Sequence, residues 1–244
     1  LLGPVDRFDD LGTQDYRGLK LSVRRRAADG VSLSANYTVS HCVGNTVVTG
    51  FPQISAGYRK PDDPAFDRGN CIQSRRQVFT LTTGYQTPEF NGAALRALAS
   101  DWRASGILSA RSGTWLGVTT GRDLAGTGIQ GNIINQVMDD PYGDKTLGNY
   151  LNPAAFAYPA AGELGSMTPS SIEGPGFWSV DLALSRLLSI TDRQNLELRL
   201  EMFNLLNNFN WGDPNVSLNA GTFGRITTQN GDSRIMQFAV KYGF

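Results

Sequence analysis

Arg234-Ile-Met-Gln-Phe-Ala-Val-Lys-Tyr-Gly-Phe244 is the stretch on which the fold turns. Every second residue counted from Phe244 is apolar or aromatic: Tyr242, Val240, Phe238 and Met236. Between them lie Gly243, Lys241, Ala239, Gln237 and Ile235, mostly small or polar. A β-strand turns successive side chains to opposite faces, so this strand has one greasy face and one wet face. About ten residues is the length a tilted strand needs to cross a bilayer. The alternative is an amphipathic edge strand of a soluble sheet. A long apolar strand at a sheet edge is an open template for aggregation, which weighs against that alternative.

The same period of two recurs upstream. Leu196, Leu198, Leu200 and Met202 alternate with Glu197, Arg199 and Glu201, predicting a strand from Leu196 to about Asn204. Thr191–Asn195 reads as the short turn before it, and Phe177–Ile190 as a strand with Trp178, Val180, Leu182 and Leu184 opposite Ser179, Asp181, Ala183 and Ser185. Asp101 to about Thr120 predicts a strand interrupted by Gly106 and Gly113, its facing left open by the adjacent Ile107 and Leu108. Arg75–Thr87 presents Phe79, Leu81, Thr83 and Tyr85 on one face. Val31–His41 and Tyr16–Arg26 alternate in the same way, joined by a tight turn at Ala27-Ala28-Asp29-Gly30. The count is about seven strands.

The connections sort by length. Those at Ala27–Gly30 and Thr191–Asn195 are short, and Pro88–Ser100 is of medium length with a helical turn expected over Ala93–Ala99. Cys42–Ser74, Gly121–Gly176 and Asn207–Ser233 are long, the last with a small hairpin expected around Asn230-Gly231. An up-and-down antiparallel meander places alternate connections at opposite ends, so all the long ones fall at one end. Outer-membrane barrels have this asymmetry, with short periplasmic turns and long extracellular loops. The fold expected is therefore all-β: a partial transmembrane barrel whose lipid face is the apolar one. Asp181, Glu197, Arg199, Glu201 and Lys241 are its lumen-facing candidates. Trp102, Tyr37, Trp178, Tyr85 and Phe244 sit near strand ends, where aromatic side chains suit the membrane interface.

Composition agrees. Charged residues are only 18 % and Gly numbers 28 of 244, poor in charge and rich in Gly for a soluble enzyme. With 22 basic and 22 acidic side chains, no net field attracts nucleic acid, and the run Arg24-Arg25-Arg26 is too short to do so. No apolar run approaches a membrane helix. The chain begins with Leu1 and no leader-like segment follows, so a piece of a longer polypeptide is expected.

Several passages together resemble the C-terminal barrel of TonB-dependent outer-membrane transporters, in particular the Oar-like group. They are Asp67-Arg-Gly-Asn-Cys71, Arg75-Arg-Gln-Val-Phe79, Tyr150-Leu-Asn-Pro-Ala-Ala-Phe156, Gly174-Pro-Gly-Phe-Trp178, Asp181-Leu-Ala-Leu-Ser185, Glu201-Met-Phe-Asn-Leu-Leu-Asn207, Phe223-Gly-Arg-Ile226 and Arg234-Ile-Met-Gln-Phe238. Their order and spacing over most of the chain carry the likeness. The resemblance implies a barrel of about 22 strands, of which this chain holds the last third. It also implies an N-terminal plug and a TonB-binding box, neither of them within these residues. The implied function is uptake of a ligand across the bacterial outer membrane, with lipid, the barrel-assembly machinery and TonB as partners and the ligand unidentified. It further implies that Met236, Phe238, Val240, Tyr242 and Phe244 form the strand recognised during assembly. A structural or adhesive barrel, and a secreted glycan-binding sandwich, are the alternatives.

Other motifs carry less. Cys42 and Cys71 are the only cysteines, and an oxidising cell-surface location favours a bridge between them over two buried free thiols. Gly126-Thr-Gly-Ile-Gln-Gly131 matches a dinucleotide fingerprint, with a short helix conceivable over Asn132–Met138, but no βαβ unit surrounds it and a Gly-rich surface loop is expected. Asp62, Asp63 and Asp67 lack calcium-loop spacing and read as a solvated acidic loop. His41, the only histidine, has neither a second metal ligand set nor a positioned nucleophile beside it. No enzyme activity and no cofactor are expected.

Overall fold

The computed structural model describes residues 10–45, 57–128, 132–191 and 193–244. Seven long strands make one antiparallel sheet in chain order. They are β1 (Gln14–Ala28), β2 (Val31–Gly44), β3 (Gln77–Gln86), β4 (Trp102–Arg111), β5 (Phe177–Thr191), β6 (Gln194–Phe203) and β7 (Ile235–Gly243). A single helix among the described residues longer than one turn, α1 (Ala93–Ala99), lies in the connection between β3 and β4. The β1–β2 turn has Asp29 at φ 53° and Gly30 at φ 76°, both left-handed, as a two-residue hairpin that follows the strand twist requires. A Cβ on Gly30 would also stand 2.2 Å from the Gln86 carbonyl oxygen, so glycine is doubly required.

The register keeps one parity across the whole sheet. Val31 faces Tyr85, Tyr85 faces Ala104, Ala104 faces Leu184, Leu184 faces Leu200 and Leu200 faces Phe238. The row above it runs Leu33, Thr83, Gly106, Leu182, Met202, Met236. The ambiguity in β4 is thereby resolved: Leu108 pairs with Leu81 and Val180 on the apolar face, and Ile107 pairs with Thr82 and Asp181 on the other. The apolar face is most exposed along its edge strands, β1 and β7. Leu19, Leu21, Val23, Phe238, Val240 and Tyr242 are all exposed. Each side chain of that size is worth roughly 1.5–3 kcal/mol when moved from water to an apolar medium, so these residues call for a cover that the described residues do not supply. Among the described residues the sheet does not close: β1 and β7 are its two edges.

The buried core lies in the long connections instead. Val118, Ile134, Tyr150, Leu151, Ala155, Phe156, Met167, Ile172, Phe223 and Ile226 form one cluster, with Phe156 edge-on to Phe223 at 5.6 Å between ring centres. Short ladders organise it: Asn135–Gln136 pairs with Phe156–Ala157, Trp115–Leu116 with Ile172–Glu173, and Tyr142–Thr146 with Asn149–Leu151. Backbone is pressed against backbone where glycine permits it. A Cβ on Gly113 would lie 1.8 Å from the Gly174 oxygen.

Three expectations need correction. The fourth strand stops at Arg111, not near Thr120, because the chain at Gly113 turns against Gly174 and then pairs with Ile172–Glu173 in the loop layer. The helix conceivable over Asn132–Met138 is extended chain: buried Ile134 and the short ladder at Asn135–Gln136 fix it in the core. In place of a tight hairpin at Asn230-Gly231, Asn210–Gly212 runs antiparallel to Thr228–Asn230 through a Trp211–Gln229 bridge. The Gly126–Gly131 motif lies partly outside the described residues.

Candidate functional site

Two regions carry polar side chains in an organised way: the polar face of the sheet and the loop layer above it. On the polar face, Arg199 reaches Glu197 at 3.5 Å and Glu201 at 3.3 Å, three alternate residues of one strand forming a single ion cluster. Lys241 stands opposite Glu197 in the register, and Asp181 opposite Ile107. All five sequence-picked polar residues therefore share one face. Asp181 has a structural task there, since its Oδ1 accepts the backbone N–H of Asn204 at 2.9 Å.

That bond starts the mooring of the last loop. Asn204 and Asn207 have φ of 47° and 51°, a left-handed backbone that asparagine tolerates better than most residues. The Asn204 side chain donates to the Asn208 and Asp232 carbonyls at 2.9 and 3.0 Å and accepts from the Asn208 N–H at 2.9 Å. Asn210 brackets Trp178, accepting its N–H and donating to its carbonyl, both at 2.9 Å. Asn208 donates to the same carbonyl at 3.2 Å. The loop is thus tied to β5 by side chains that act as surrogate strand backbone.

The mooring shapes a cleft of about 280 Å³ lined by Lys145, Tyr150, Pro175, Trp178, Phe209 and Trp211, among others. Four aromatic residues, a cation and the amides of Asn208 and Asn210 line it. Tyr150 is held edge-on to Tyr142 at 5.8 Å, and both hydroxyls donate to the Glu173 carbonyl, at 3.0 and 3.2 Å. Burial pushes both phenols above their ordinary range, with the charge of Glu173 adding to the rise, so each stays a neutral donor. Lys145 places its ammonium 4.2 Å from the Tyr142 ring centre. A second cleft, about 370 Å³, lies between Asn149, Leu151 and Pro153 on one side and Leu218, Phe223 and Arg225 on the other. Sequence reading missed both clefts. The detectable signal was the asparagine density of Asn204–Asn210 beside two aromatics, which predicts positive-φ turns but not what they frame.

Elsewhere the polar residues are spent on structure. Asp123 is partly desolvated, which raises its pKa, but hydrogen bonds outweigh this and hold the carboxyl below its usual range. They come from the Gly128 N–H at 2.7 Å, the Asn132 amide at 2.7 Å and the Thr127 N–H at 3.1 Å. Cys42 and Cys71 are joined by a disulfide with Cα atoms 5.4 Å apart, and the Gln14 amide donates to both sulfurs. Asp67, expected in a solvated acidic loop, is buried and ion-paired with Arg59, and also accepts the Arg59 N–H at 2.8 Å. Asp63 pairs with Lys60 at 3.0 Å. Among the described residues no group of His, Cys, Asp and Glu is arranged to hold a metal ion. The terminal strand places Met236, Phe238, Val240 and Tyr242 on the bare apolar face, and Phe244 stacks on Tyr242 at 5.9 Å.

A family model described as an outer membrane beta barrel domain matches residues 2–237. Searches of the curated proteins and of the solved structures gave no match. The chain belongs to the outer membrane β-barrel domain family, and its place is the bacterial outer membrane.

Proposed function

We propose that this barrel domain is the C-terminal part of a TonB-dependent receptor that takes up a ligand across the outer membrane. The observation that carries the reading is the sorting of connections. The long ones gather at one end of the sheet and fold into a layer with its own core and two clefts, while the other end has two tight turns and one medium connection that carries α1. A capture layer of this kind suits a ligand recognised at the cell surface before it is admitted through the wall. The five polar residues of the opposite face, Asp181, Glu197, Arg199, Glu201 and Lys241, line the lumen in this reading, and the apolar face meets lipid.

Bacterial barrels of one chain have even strand numbers from eight upward, so seven strands with two unpaired edges call for further strands beside β1 and β7. In the proposal these come from the same longer polypeptide. TonB acts through a segment outside these residues, and the assembly machinery receives the barrel through β7 and Phe244. The role is capture and passage, without catalysis.

The test compares three strains on a panel of scarce nutrients, including metal chelates, oligosaccharides and peptides. One lacks the full-length protein, one lacks TonB and one is intact. Loss of uptake of the same nutrient in both mutants supports the proposal. An unchanged panel together with lost surface adhesion would assign the barrel an adhesive role instead.

A further inference from the structure

The connection between β3 and β4 does not hang below the sheet as a plain turn. Its helix α1, Ala93-Ala-Leu-Arg-Ala-Leu-Ala99, is anchored by two side chains from the apolar face. Trp102 and Arg186 face each other in the β4–β5 register, and Arg186 faces Leu198, which faces Val240, so both belong to the bare apolar parity. The Trp102 indole N–H donates to the Leu98 carbonyl at 2.9 Å, and the Arg186 guanidinium donates to the Ala97 carbonyl. These are carbonyls of the last turn, which a helix leaves without intrahelical partners, and a cation there also suits the helix dipole. Arg186 stacks over the Trp102 ring at 5.3 Å, an arrangement that shelters its charge on a mostly apolar face.

The consequence is that α1 is fastened to the lipid side of the wall at the tight-turn end. It then shows Leu95 and Leu98, three residues apart and so on one helix face, to the outside, where both are well exposed. Arg96, between them in sequence, is also exposed. Leu98 adjoins the apolar face through its bond to Trp102. We propose that α1 is an interfacial foot seated in the phospholipid leaflet of the outer membrane. Leu95 and Leu98 enter the boundary between headgroups and acyl chains, and Arg96 meets the lipid phosphate. Trp at such a boundary and an amphipathic helix lying in its plane are both favourable there. The occupant is lipid and not a protein, because the patch continues the face that the barrel already turns to lipid. This rests on the membrane placement of the sheet, not on TonB-dependent uptake.

The test uses the full-length natural polypeptide, its disulfide intact, reconstituted in vesicles of phosphatidylethanolamine and phosphatidylglycerol. Single added cysteines at Leu98, Val240 and Glu89 carry a polarity-sensitive fluorophore, and nitroxide-labelled lipids serve as quenchers. The label at Val240 reports strand insertion, and Glu89, exposed in the same connection, reports water. We expect shallow nitroxides to quench Leu98 several-fold more than Glu89, with a blue-shifted emission. Arg186→Gln should return the Leu98 label toward water while Val240 stays quenched. A Leu98 label as wet as Glu89 beside a quenched Val240 overturns the foot alone. An unquenched Val240 overturns the membrane placement, and the foot with it.

Discussion

The strand wall and the loop layer bury their apolar residues in opposite ways. In the wall, Val23 is 63 % exposed and Phe238 67 %; in the loop layer, Ile134 is 0 % exposed and Leu151 1 %. Regular alternating strands usually supply a protein's core, and long connections usually run over its surface. Here the connections hold most of the buried core, and the apolar face of the edge strands is left bare. The difference shows that the two regions answer to different solvents. The loop layer folds against water and must enclose its own hydrophobic cluster. The wall folds against hydrocarbon, so its apolar parity is finished only when lipid covers it.

The contrast is broken most severely by charge at mid-wall. Leu200 lies in the interior strand β6 between Leu184 and Phe238. Leu200→Arg forfeits roughly 1.5–3 kcal/mol of apolar burial and adds roughly 2–4 kcal/mol for a charge near the bilayer midplane. The expected result is loss of the heat-modifiable band of the full-length protein in outer-membrane fractions. A variant that assembles normally would show that this face does not meet lipid.

In the loop layer the matching change is Ile134→Ala, which opens a cavity in a closed core at a cost of about 2–5 kcal/mol. The loss should stay local. Protease digestion of intact cells should cut the layer faster, while heat-modifiable mobility of the wall is kept. If the barrel is lost as well, the two regions are one cooperative unit and do not fold against separate solvents.

The Cys42–Cys71 bridge closes a 29-residue separation beside the layer. Removing a disulfide of that span typically costs about 2–4 kcal/mol. The intact mass measured without reductant should rise by two hydrogen atoms once a thiol reductant is added. Cys42→Ser with Cys71→Ser should lower the unfolding temperature of the loop layer and spare the wall. Two alkylatable thiols in the native protein would remove the bridge.

How much of this was legible in the chain differs between the same two regions. The wall was almost fully readable, because a period of two survives whatever surrounds a strand. Residues such as Leu196, Leu198, Leu200 and Met202 carry it without help from the rest of the fold. The one failure of facing, at Ile107 and Leu108, came where adjacent apolar residues cancel the alternation, and only the partners Leu81 and Asp181 decide it. In the sequence the loop layer looks irregular because its order is non-local. Gly113 touches Gly174, Asn70 donates to the Ser170 carbonyl and Thr114 bonds Asp213, contacts that leave no local period. The clefts share that origin, since Lys145, Trp178 and Trp211 meet only after three separate stretches have folded. Arg186 escaped notice for a related reason: it interrupts an apolar parity, and its partner α1 lies far away in sequence.

The smallest expected effect is the sharpest check on which face is wet. Lys241 lies on β7 one residue beyond Val240, so the two point to opposite sides. Lys241 stands opposite Glu197, which already pairs with Arg199, and Arg199 also pairs with Glu201. Lys241→Glu sets two like charges across the ladder, which in a solvated sheet costs about 0.2–1 kcal/mol. Arg199 lies close enough to absorb part of the repulsion. The variant should therefore assemble normally and show a slightly lower unfolding midpoint in urea. Because the groups are solvated on this face, the deficit should shrink as salt is raised from low to physiological levels and beyond. Lys241→Met removes the charge without adding repulsion and should show no salt-dependent deficit. A loss of assembly in Lys241→Glu as complete as that expected of Leu200→Arg would mean that this side of the sheet is also in hydrocarbon. The alternation from which the whole fold was read would then have been assigned to the wrong environment.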